Sequence, residues 1–186
     1  MASPENILLH LAEDEEQQVR EVFTHLVDQG FPNQQQRPHI TITFAPVMDD
    51  HVVQRAAQLL PPLIPATFRR EGTVVFGTKR KQTVAWLLET SDELEIAARE
   101  ISALNPAGRG PRWVPHLTVG LRLPREIIPD YIRALDELVA GKLREFTAVR
   151  AAHWRPRTQE NTVLAGSLSN EGVEPAARFG SGQNRD

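Results

Sequence analysis

Apolar and polar positions follow two different periods along the first third of the chain. Residues 7–11 form a short apolar run, which is typical of a buried strand, and residues 13–29 carry apolar side chains at helical spacing before a terminating glycine. β-Branched residues dominate residues 39–44, and residues 50–60 again show helical spacing before a pair of prolines. The pattern therefore predicts strand, helix, strand and helix in this order.

The middle of the chain predicts a hairpin followed by another helix and strand. Residues 73–76 and 83–88 are strand candidates that a basic, glycine-containing tip joins. Ser91 is a candidate cap for a helix whose last apolar position is Leu104. A loop rich in Gly, Pro and Asn then leads to a predicted strand over residues 113–123.

The last part of the chain predicts one helix, two strands and a tail. Helical spacing covers residues 125–139, and residues 144–154 and 162–168 are strand candidates that we expect to pair. From residue 170 the chain is rich in Gly, Ser, Glu and Arg without periodicity, which predicts disorder. We expect one bilobal α+β domain over residues 1–169 and a disordered tail over residues 170–186.

Composition and charge narrow the class of protein. With 40% hydrophobic and 24% charged residues in a chain of 186, the sequence is typical of a single globular domain. The formal net charge of −3 argues against a broad positive field for nucleic acid, so we expect no double-stranded DNA partner. Residues 1–68 carry a net −6 and residues 69–186 a net +3, which favours a local anion site.

The absence of cysteine excludes a disulfide framework, a thiol nucleophile and thiolate zinc sites. It also fits a reducing compartment, and we expect a cytoplasmic protein. The first residues lack a basic leader, and no segment approaches the roughly 20 apolar residues of a membrane helix. We therefore expect neither a signal peptide nor a membrane partner, and we expect a monomer.

Two short motifs carry the candidate chemistry. His39-Ile40-Thr41-Ile42 and His116-Leu117-Thr118-Val119 each follow a proline, and one lies in each half of the chain. Each predicted strand precedes a helix, which indicates internal pseudo-symmetry. Because successive side chains of a strand alternate in direction, each His shares a face with its Thr and the apolar residues point the other way.

Two imidazoles and two hydroxyls in one cleft suit in-line cleavage of a phosphodiester. One imidazole takes a proton from the attacking oxygen, and the other gives a proton to the leaving oxygen. Thr41 and Thr118 can donate hydrogen bonds to the non-bridging oxygens as negative charge builds on them. The motifs therefore predict His39 and His116 as acid and base, without saying which does which.

Structural readings of these residues compete with the catalytic one. A single His-x-Thr run in a strand is more often structural, but two matching runs favour catalysis. A metal site needs three or four ligands at close spacing. Cysteine is absent, and the other histidines show neither HxH nor HExxH spacing, so we expect no metal: His10, His25, His51 and His153.

The two runs resemble the HxTx signatures of the 2H phosphoesterase superfamily, whose best-known bacterial branch is called 2′-5′ RNA ligase or RNA 2′,3′-cyclic phosphodiesterase. The similarity covers roughly residues 5–168, including the hairpin of residues 73–89. The resemblance implies a bilobal, pseudo-symmetric α+β fold with two mostly antiparallel sheets lining a central cleft and helices outside. It also implies that the site needs no cofactor.

Several further residues are weaker candidates for substrate binding. An Arg usually follows the second motif in the RNA ligase branch, and the nearest here is Arg122, offset by one position. Alternation along the strand would put Arg122 on the His116 face, where it could clamp a phosphate, although an exposed Arg at a strand end is as common. Lys79, Arg80 and Lys81 form either a basic steering patch or a soluble turn. The aromatic residues are candidates for base stacking, although in strands such residues are more often core: Phe44, Trp86, Trp113 and Trp154.

The sequence thus predicts a metal-independent phosphoesterase that hydrolyses 2′,3′-cyclic phosphates at RNA ends or on small nucleotides. The same site run in reverse would join a cyclic phosphate to a 5′-hydroxyl, as a 2′-5′ RNA ligase does. Two alternatives remain open: a non-catalytic nucleotide-binding or RNA-binding module, and a phosphoesterase for another cyclic nucleotide.

Overall fold

A computed structural model describes residues 3–166 of the chain. The predicted tail over residues 170–186 lies outside the described residues, as do the last two residues of the final predicted strand. Within the described part, four α-helices and seven β-strands follow one another in the predicted order.

The elements have the following bounds. The strands are β1 (Glu5–Leu11), β2 (His39–Ala45), β3 (Ala66–Phe76), β4 (Lys81–Glu89), β5 (His116–Pro124), β6 (Glu145–Arg155) and β7 (Glu160–Gly166). The helices are α1 (Glu13–Asp28), α2 (Asp50–Leu59), α3 (Asp92–Leu104) and α4 (Ile128–Leu138), with short 3₁₀ turns at Pro61–Leu63 and Arg125–Ile127.

Local signals explain where the helices begin and end. Ser91 caps α3 as predicted, because its hydroxyl accepts a hydrogen bond from the backbone N–H of Leu94. Asp49 caps α2 by accepting from the backbone N–H of His51. After α1, Gly30 adopts a φ of 90°, which a residue with a Cβ rarely reaches, and the chain turns away there.

Three predicted boundaries were wrong. β3 begins at Ala66, well before the predicted start at residue 73, because its first half carries polar residues that hide the strand pattern. β5 begins at His116, so Trp113 lies in the preceding loop. The predicted helix over residues 125–139 is a 3₁₀ turn followed by α4, whose first turn contains Pro129.

All strand pairs are antiparallel, and the strands form one sheet in the order β1-β2-β5-β4-β3-β6-β7. β1 also pairs with β6, so the pairings return to β1. The predicted α+β class is confirmed. The two expected sheets are joined, since β3 pairs with β6 and β2 meets β5 at the single pair Ile40 and Leu117.

The main core lies between this sheet and the helices. Its largest fully buried side chains include Trp86, Tyr131, Phe68 and Phe146. α1 packs against α4, and α2 packs against α3, so each contact joins a helix of one half to a helix of the other. The opposite face of the sheet remains free to form a cleft where β2 and β5 meet.

Candidate active site

β2 and β5 place the two motifs as alternation predicts. Ile40 and Leu117 are fully buried, and Ile42 and Val119 are 4% and 0% exposed. The two histidines and the two threonines between them are only partly buried. Each strand therefore gives its apolar residues to the core and its His and Thr to the cleft.

The register between β2 and β5 brings the two motifs together. The pair of Ile40 with Leu117 is antiparallel. A register that continues one step on either side of this pair puts His39 opposite Thr118 and Thr41 opposite His116. The two histidines are then diagonal neighbours on one face, a spacing that is typically about 7–8 Å in antiparallel strands. Each His is thus next to the Thr of the other motif, and the four side chains border one gap on this face of the sheet.

Backbone carbonyls fix the orientation of both imidazoles. Nδ1 of His39 lies 2.7 Å from the carbonyl oxygen of Arg37, and Nδ1 of His116 lies 2.7 Å from that of Val114. A carbonyl oxygen only accepts hydrogen bonds, so Nδ1 carries the proton in each ring. Nε2 is therefore the atom of each ring that is left for chemistry, as a lone pair when neutral and as an N–H when protonated.

Contacts from other elements hold the loops before the two strands. Arg37 binds Glu16 of α1 at 2.8 Å, which ties the carbonyl next to His39 to a helix. The backbone N–H of Leu88 donates to Pro115 at 3.0 Å and fixes the approach to His116. Both histidines are thus positioned by neighbours that lie far away in the chain.

The environments of the two histidines differ. Burial lowers the pKa of His39 below its usual value, although the hydrogen bond to the Arg37 carbonyl acts in the opposite direction. The positive charges of His116 and Arg37 lower this pKa further. The neutral form of His39, which can accept a proton at Nε2, is therefore favoured.

A cavity of about 700 Å³ opens beside Thr41 and His116. Four of the residues predicted for the site line it: Thr41, Phe44, Trp113 and His116. The sequence interpretation missed several other lining residues, including Asn6, Phe76, Thr83, Arg109 and Arg112. No motif marks these residues, because β1, β3, β4 and the loop before β5 bring them in separately.

Aromatic rings give this cavity an apolar wall. The Phe76 ring lies 4.8 Å from the His116 ring, and Phe44 is 43% exposed. Trp113 is 7% exposed, donates from its indole N–H to the carbonyl of Thr41 at 2.9 Å and meets Phe68 edge to face. Trp113 therefore braces the first motif, and Phe44 and Phe76 present the larger surfaces for stacking.

The remaining aromatic and basic candidates lie elsewhere. Trp86 is fully buried and stacks on Phe146, so it belongs to the core. Lys79 lies in the β3–β4 turn and Lys81 begins β4. Both lysines are exposed, and neither belongs to the cavity wall as residues 3–166 form it.

The strand alternation that predicted the direction of Arg122 is interrupted. The register of β5 against β4 shifts twice between Thr118 and Leu123, so the alternation of side chains does not continue to Arg122. Arg122 has a φ of 55° and an exposed side chain. A role for Arg122 in binding phosphate stays a prediction.

The described residues offer neither a metal-ligand cluster nor a membrane-spanning helix. Within residues 3–166, no three side chains of His, Cys, Asp or Glu converge in a way that could hold a metal ion. Among the helices of the same residues, none has the length and apolar character needed to cross a membrane.

Comparison with known families decides the relationship. The family model of the 2′-5′ RNA ligase superfamily matches residues 11–159, which is most of the chain and includes both motifs. The chain belongs to this superfamily. Membership in the 2′-5′ RNA ligase superfamily, a group of 2H phosphoesterases, supports a phosphoesterase function in RNA processing.

A solved structure supports the same fold. A structure of Usb1 from Kluyveromyces marxianus with uridine monophosphate matches with a TM-score of 0.51 and 14% identity over 87% of this chain and 97% of that chain. A second Usb1 structure from the same organism gives a TM-score of 0.49 and 13% identity over 87% of this chain and 97% of that chain. No curated protein sequence matches. At this identity the likeness of the superfamily member to Usb1 concerns the fold alone.

Proposed function

We propose that this chain is a metal-independent phosphoesterase that hydrolyses 2′,3′-cyclic phosphates at RNA ends or on small nucleotides. The observation that carries the proposal is the register of β2 and β5, which gives two Nε2 atoms and two Thr hydroxyls to one gap. Family membership supports the phosphoester bond as the target.

In this reaction His39 is the base and His116 is the acid. Nε2 of neutral His39 takes a proton from water as the water oxygen bonds to phosphorus. The bond from phosphorus to one ribose oxygen breaks, and protonated Nε2 of His116 gives that oxygen its proton. The lowered pKa of His39 supports this assignment, because a base must be unprotonated when it acts.

The two Thr hydroxyls stabilise the transition state. With the register of the Ile40 and Leu117 pair continued to its neighbours, Thr118 is opposite His39 and Thr41 is opposite His116, so one hydroxyl flanks each side of the gap. Each hydroxyl can donate to a non-bridging oxygen, where negative charge increases during attack. Their fixed positions on strands mean that little reorganisation is needed when that charge develops.

The cavity beside the gap suits the nucleoside part of the substrate. Phe44 and Phe76 offer ring faces on which a base can stack, and such stacking tolerates any base. Arg109 and Arg112 add positive charge to the same cavity for a phosphate chain. Substrate recognition through stacking and charge fits RNA ends and small nucleotides equally.

The same site also catalyses ligation in this proposal. A 5′-hydroxyl in place of water would attack the cyclic phosphate, with His39 as its base. The product would be a 2′-5′ linkage if the bond to the 3′ oxygen breaks. Ligation should therefore fail in the same variants as hydrolysis.

The test is to incubate chelator-treated protein with a nucleoside 2′,3′-cyclic phosphate and to follow the products by phosphorus NMR. We expect the cyclic phosphate to become a monoester at a rate that chelator does not change. His39→Ala and His116→Ala should each lower kcat by about 10²–10⁴-fold with a smaller change in affinity. His25→Ala, on the exposed side of α1, is the matched control.

Two results would contradict the proposal. Binding of the cyclic nucleotide without any turnover would favour a non-catalytic module. Turnover of another cyclic nucleotide, such as ADP-ribose cyclic phosphate, without any turnover of 2′,3′-cyclic nucleotides would assign a different substrate to the same residues.

A further inference from the structure

A row of three side chains extends from the catalytic face of β2 across the sheet. His10 of β1 lies directly opposite His39 of β2, and it also lies directly opposite Arg150 of β6. Residues directly opposite in antiparallel strands point to the same face of the sheet. Arg150 and His10 therefore stand on the same face as His39, in a line that leads away from the gap.

Arg150 is a buried cation whose charge has no counterpart among the described residues. It is 7% exposed, and its Nε atom has no hydrogen-bond partner within residues 3–166. No carboxylate of the same residues pairs with it. An unpaired charge in a mostly buried setting is costly, and a bound anion would offset that cost.

His10 adds a second donor beside Arg150. His10 is 6% exposed, and its Nε2 accepts a hydrogen bond from the side-chain amide of Asn161 at 3.3 Å. The proton of the neutral ring is then on Nδ1, which has no partner in the described part of the chain. Burial lowers the pKa of His10 to about 4, so the ring donates without adding charge.

Glu16, the carboxylate whose charge raises the pKa of His10, is already bound to other arginines. Glu16 binds Arg20 at 2.9 Å and Arg37 at 2.8 Å. Its single negative charge is therefore already outnumbered by two arginines, and Arg150 adds a third positive charge. The group around His10 is therefore net positive. Two adjacent donors that no described residue satisfies, in a positive and mostly buried setting, are suited to an anion.

We propose that Arg150 and His10 bind a second phosphate group of the substrate, next to the one held between His39 and His116. Arg150 is two strand spacings from His39, or about 10 Å along the sheet, so the group it binds is not the phosphate under attack. A 2′,3′-cyclic phosphate ends its strand, so the next phosphate lies on the 5′ side of the same nucleoside. This inference rests on the proposed function and narrows its substrate to nucleotides with a 5′-phosphate or a 5′ phosphodiester.

The test compares two substrates and three proteins. A nucleoside 2′,3′-cyclic phosphate with and without a 5′-phosphate is given to the wild type, to Arg150→Met and to Arg133→Met. Arg133 is exposed on α4 and is the matched control for loss of charge. We expect the wild type and the control to prefer the 5′-phosphate about 10- to 100-fold in kcat/KM, which is the range of charge-assisted hydrogen bonds. Arg150→Met should lose this preference and keep the activity on the other substrate.

Thermal unfolding separates ligand binding from a structural role. A buried Arg without a charge partner makes the ligand-free protein less stable, so Arg150→Met should keep or raise Tm. Inorganic phosphate should raise the Tm of the wild type more than that of Arg150→Met. Arg150→Lys keeps the charge and should keep part of both effects.

Three outcomes would overturn the inference. They are a wild type without preference for the 5′-phosphate, an unchanged preference in Arg150→Met, and a fall in Tm with equal loss on both substrates. If the wild type hydrolyses neither substrate, the proposed function fails instead. The shift in Tm with inorganic phosphate then still decides whether Arg150 belongs to an anion site.

Discussion

At the scale of single residues, His39 and His116, the proposed base and acid, share one backbone geometry and differ in their surroundings. Each Nδ1 donates to the carbonyl of the residue two positions before it. The sequence predicted both residues, because the His-x-Thr pattern occurs twice. It could not predict which one is the base, since Arg37 and the burial that favours neutral His39 come from the folded chain.

The lowered pKa of His39 predicts activity in mildly acidic solution. As the base, His39 must be neutral, so kcat/KM falls as pH drops through its pKa. This pKa lies below the ordinary value of about 6.5, so the acidic limb of the profile should lie below pH 6.5 as well. Replacing His116 by Asn removes a neighbouring positive charge and should raise the pKa of His39, which NMR titration of the imidazole can measure. An unchanged or lower pKa of His39 in this variant would show that the charge of His116 does not act on His39.

His10 predicts a loss of stability in acid. The folded protein holds its pKa near 4, whereas an unfolded histidine titrates near 6.5. Its contribution is therefore complete above about pH 6.5 and decreases as pH falls toward 4, by on the order of 3 kcal/mol in total. Denaturant unfolding from pH 7 to 4 should show a smaller loss for His10→Gln than for wild type. The same substitution at exposed His25 should leave the wild-type loss in place.

At the scale of elements, β2 and β5 repeat the same irregularity, each at the last position of its motif. β2 has an extra residue at Ile42 relative to β1, and β5 has one at Val119 relative to β4. Just after each extra residue, an amide side chain from a loop binds the strand. The Asn105 amide donates to the hydroxyl of Thr43 and to the carbonyl of Phe44, and the Gln34 carbonyl accepts from the N–H of Leu121.

Each of these two amides joins a loop of one half of the chain to a strand of the other half. Gln34 follows α1 and binds β5, whereas Asn105 follows α3 and binds β2. The sequence showed strands, helices and the repeat. It did not show the extra residues or the amides, because bulges and buried loop amides depend on partners far away in the chain.

Removal of either amide should weaken the joint between the halves. Asn105 is 3% exposed and Gln34 is 8% exposed, so Ala at either position removes a buried amide and leaves its partner without this hydrogen bond. We expect each variant to lose about 1–3 kcal/mol of unfolding free energy. Chemical denaturation measures this loss, and Gln17→Ala on the exposed side of α1 is the control. A loss no larger than that of the control would show that the amides do not hold the strands.

Gly120 should not tolerate a side chain. A Cβ at this position would lie 2.6 Å from a Leu123 methyl group and 2.8 Å from the Tyr131 ring. Leu123 can rotate, but the fully buried Tyr131 ring donates a hydrogen bond to the carbonyl of Val119 and has little room. Gly120→Ala should therefore cost about 1–3 kcal/mol by overpacking, as measured by thermal or chemical unfolding. Wild-type stability in this variant would contradict the tight packing of Leu123 and Tyr131 against Gly120.

At the scale of the whole molecule, the two halves form one site where their middle strands touch. β2 and β5 meet at the pair of Ile40 and Leu117, and the rest of the sheet connects around this point through β4, β3, β6 and β1. The strand and helix order and the pseudo-symmetry followed from the sequence. The joining of the two expected sheets did not, since pairing between strands from opposite halves of the chain leaves no local pattern.

The distribution of charge changes between sequence and structure. The uneven net charge of residues 1–68 and 69–186 argued for a local anion site instead of an extended one. In the folded protein Arg37 and Arg150, one from each part, lie close enough to His10 to lower its pKa. Local charge in the cleft therefore depends on which strands are neighbours more than on the net charge of either part.

The account depends most on the claim that His39 and His116 act on one phosphate at the same time. The most direct measurement is kcat/KM for a nucleoside 2′,3′-cyclic phosphate in wild type, His39→Ala, His116→Ala and the double variant, with chelator present. Groups that act together on one transition state give non-additive losses, so the double variant should be about as slow as either single variant. Losses that multiply in the double variant, or a single variant with wild-type turnover, would contradict the claim.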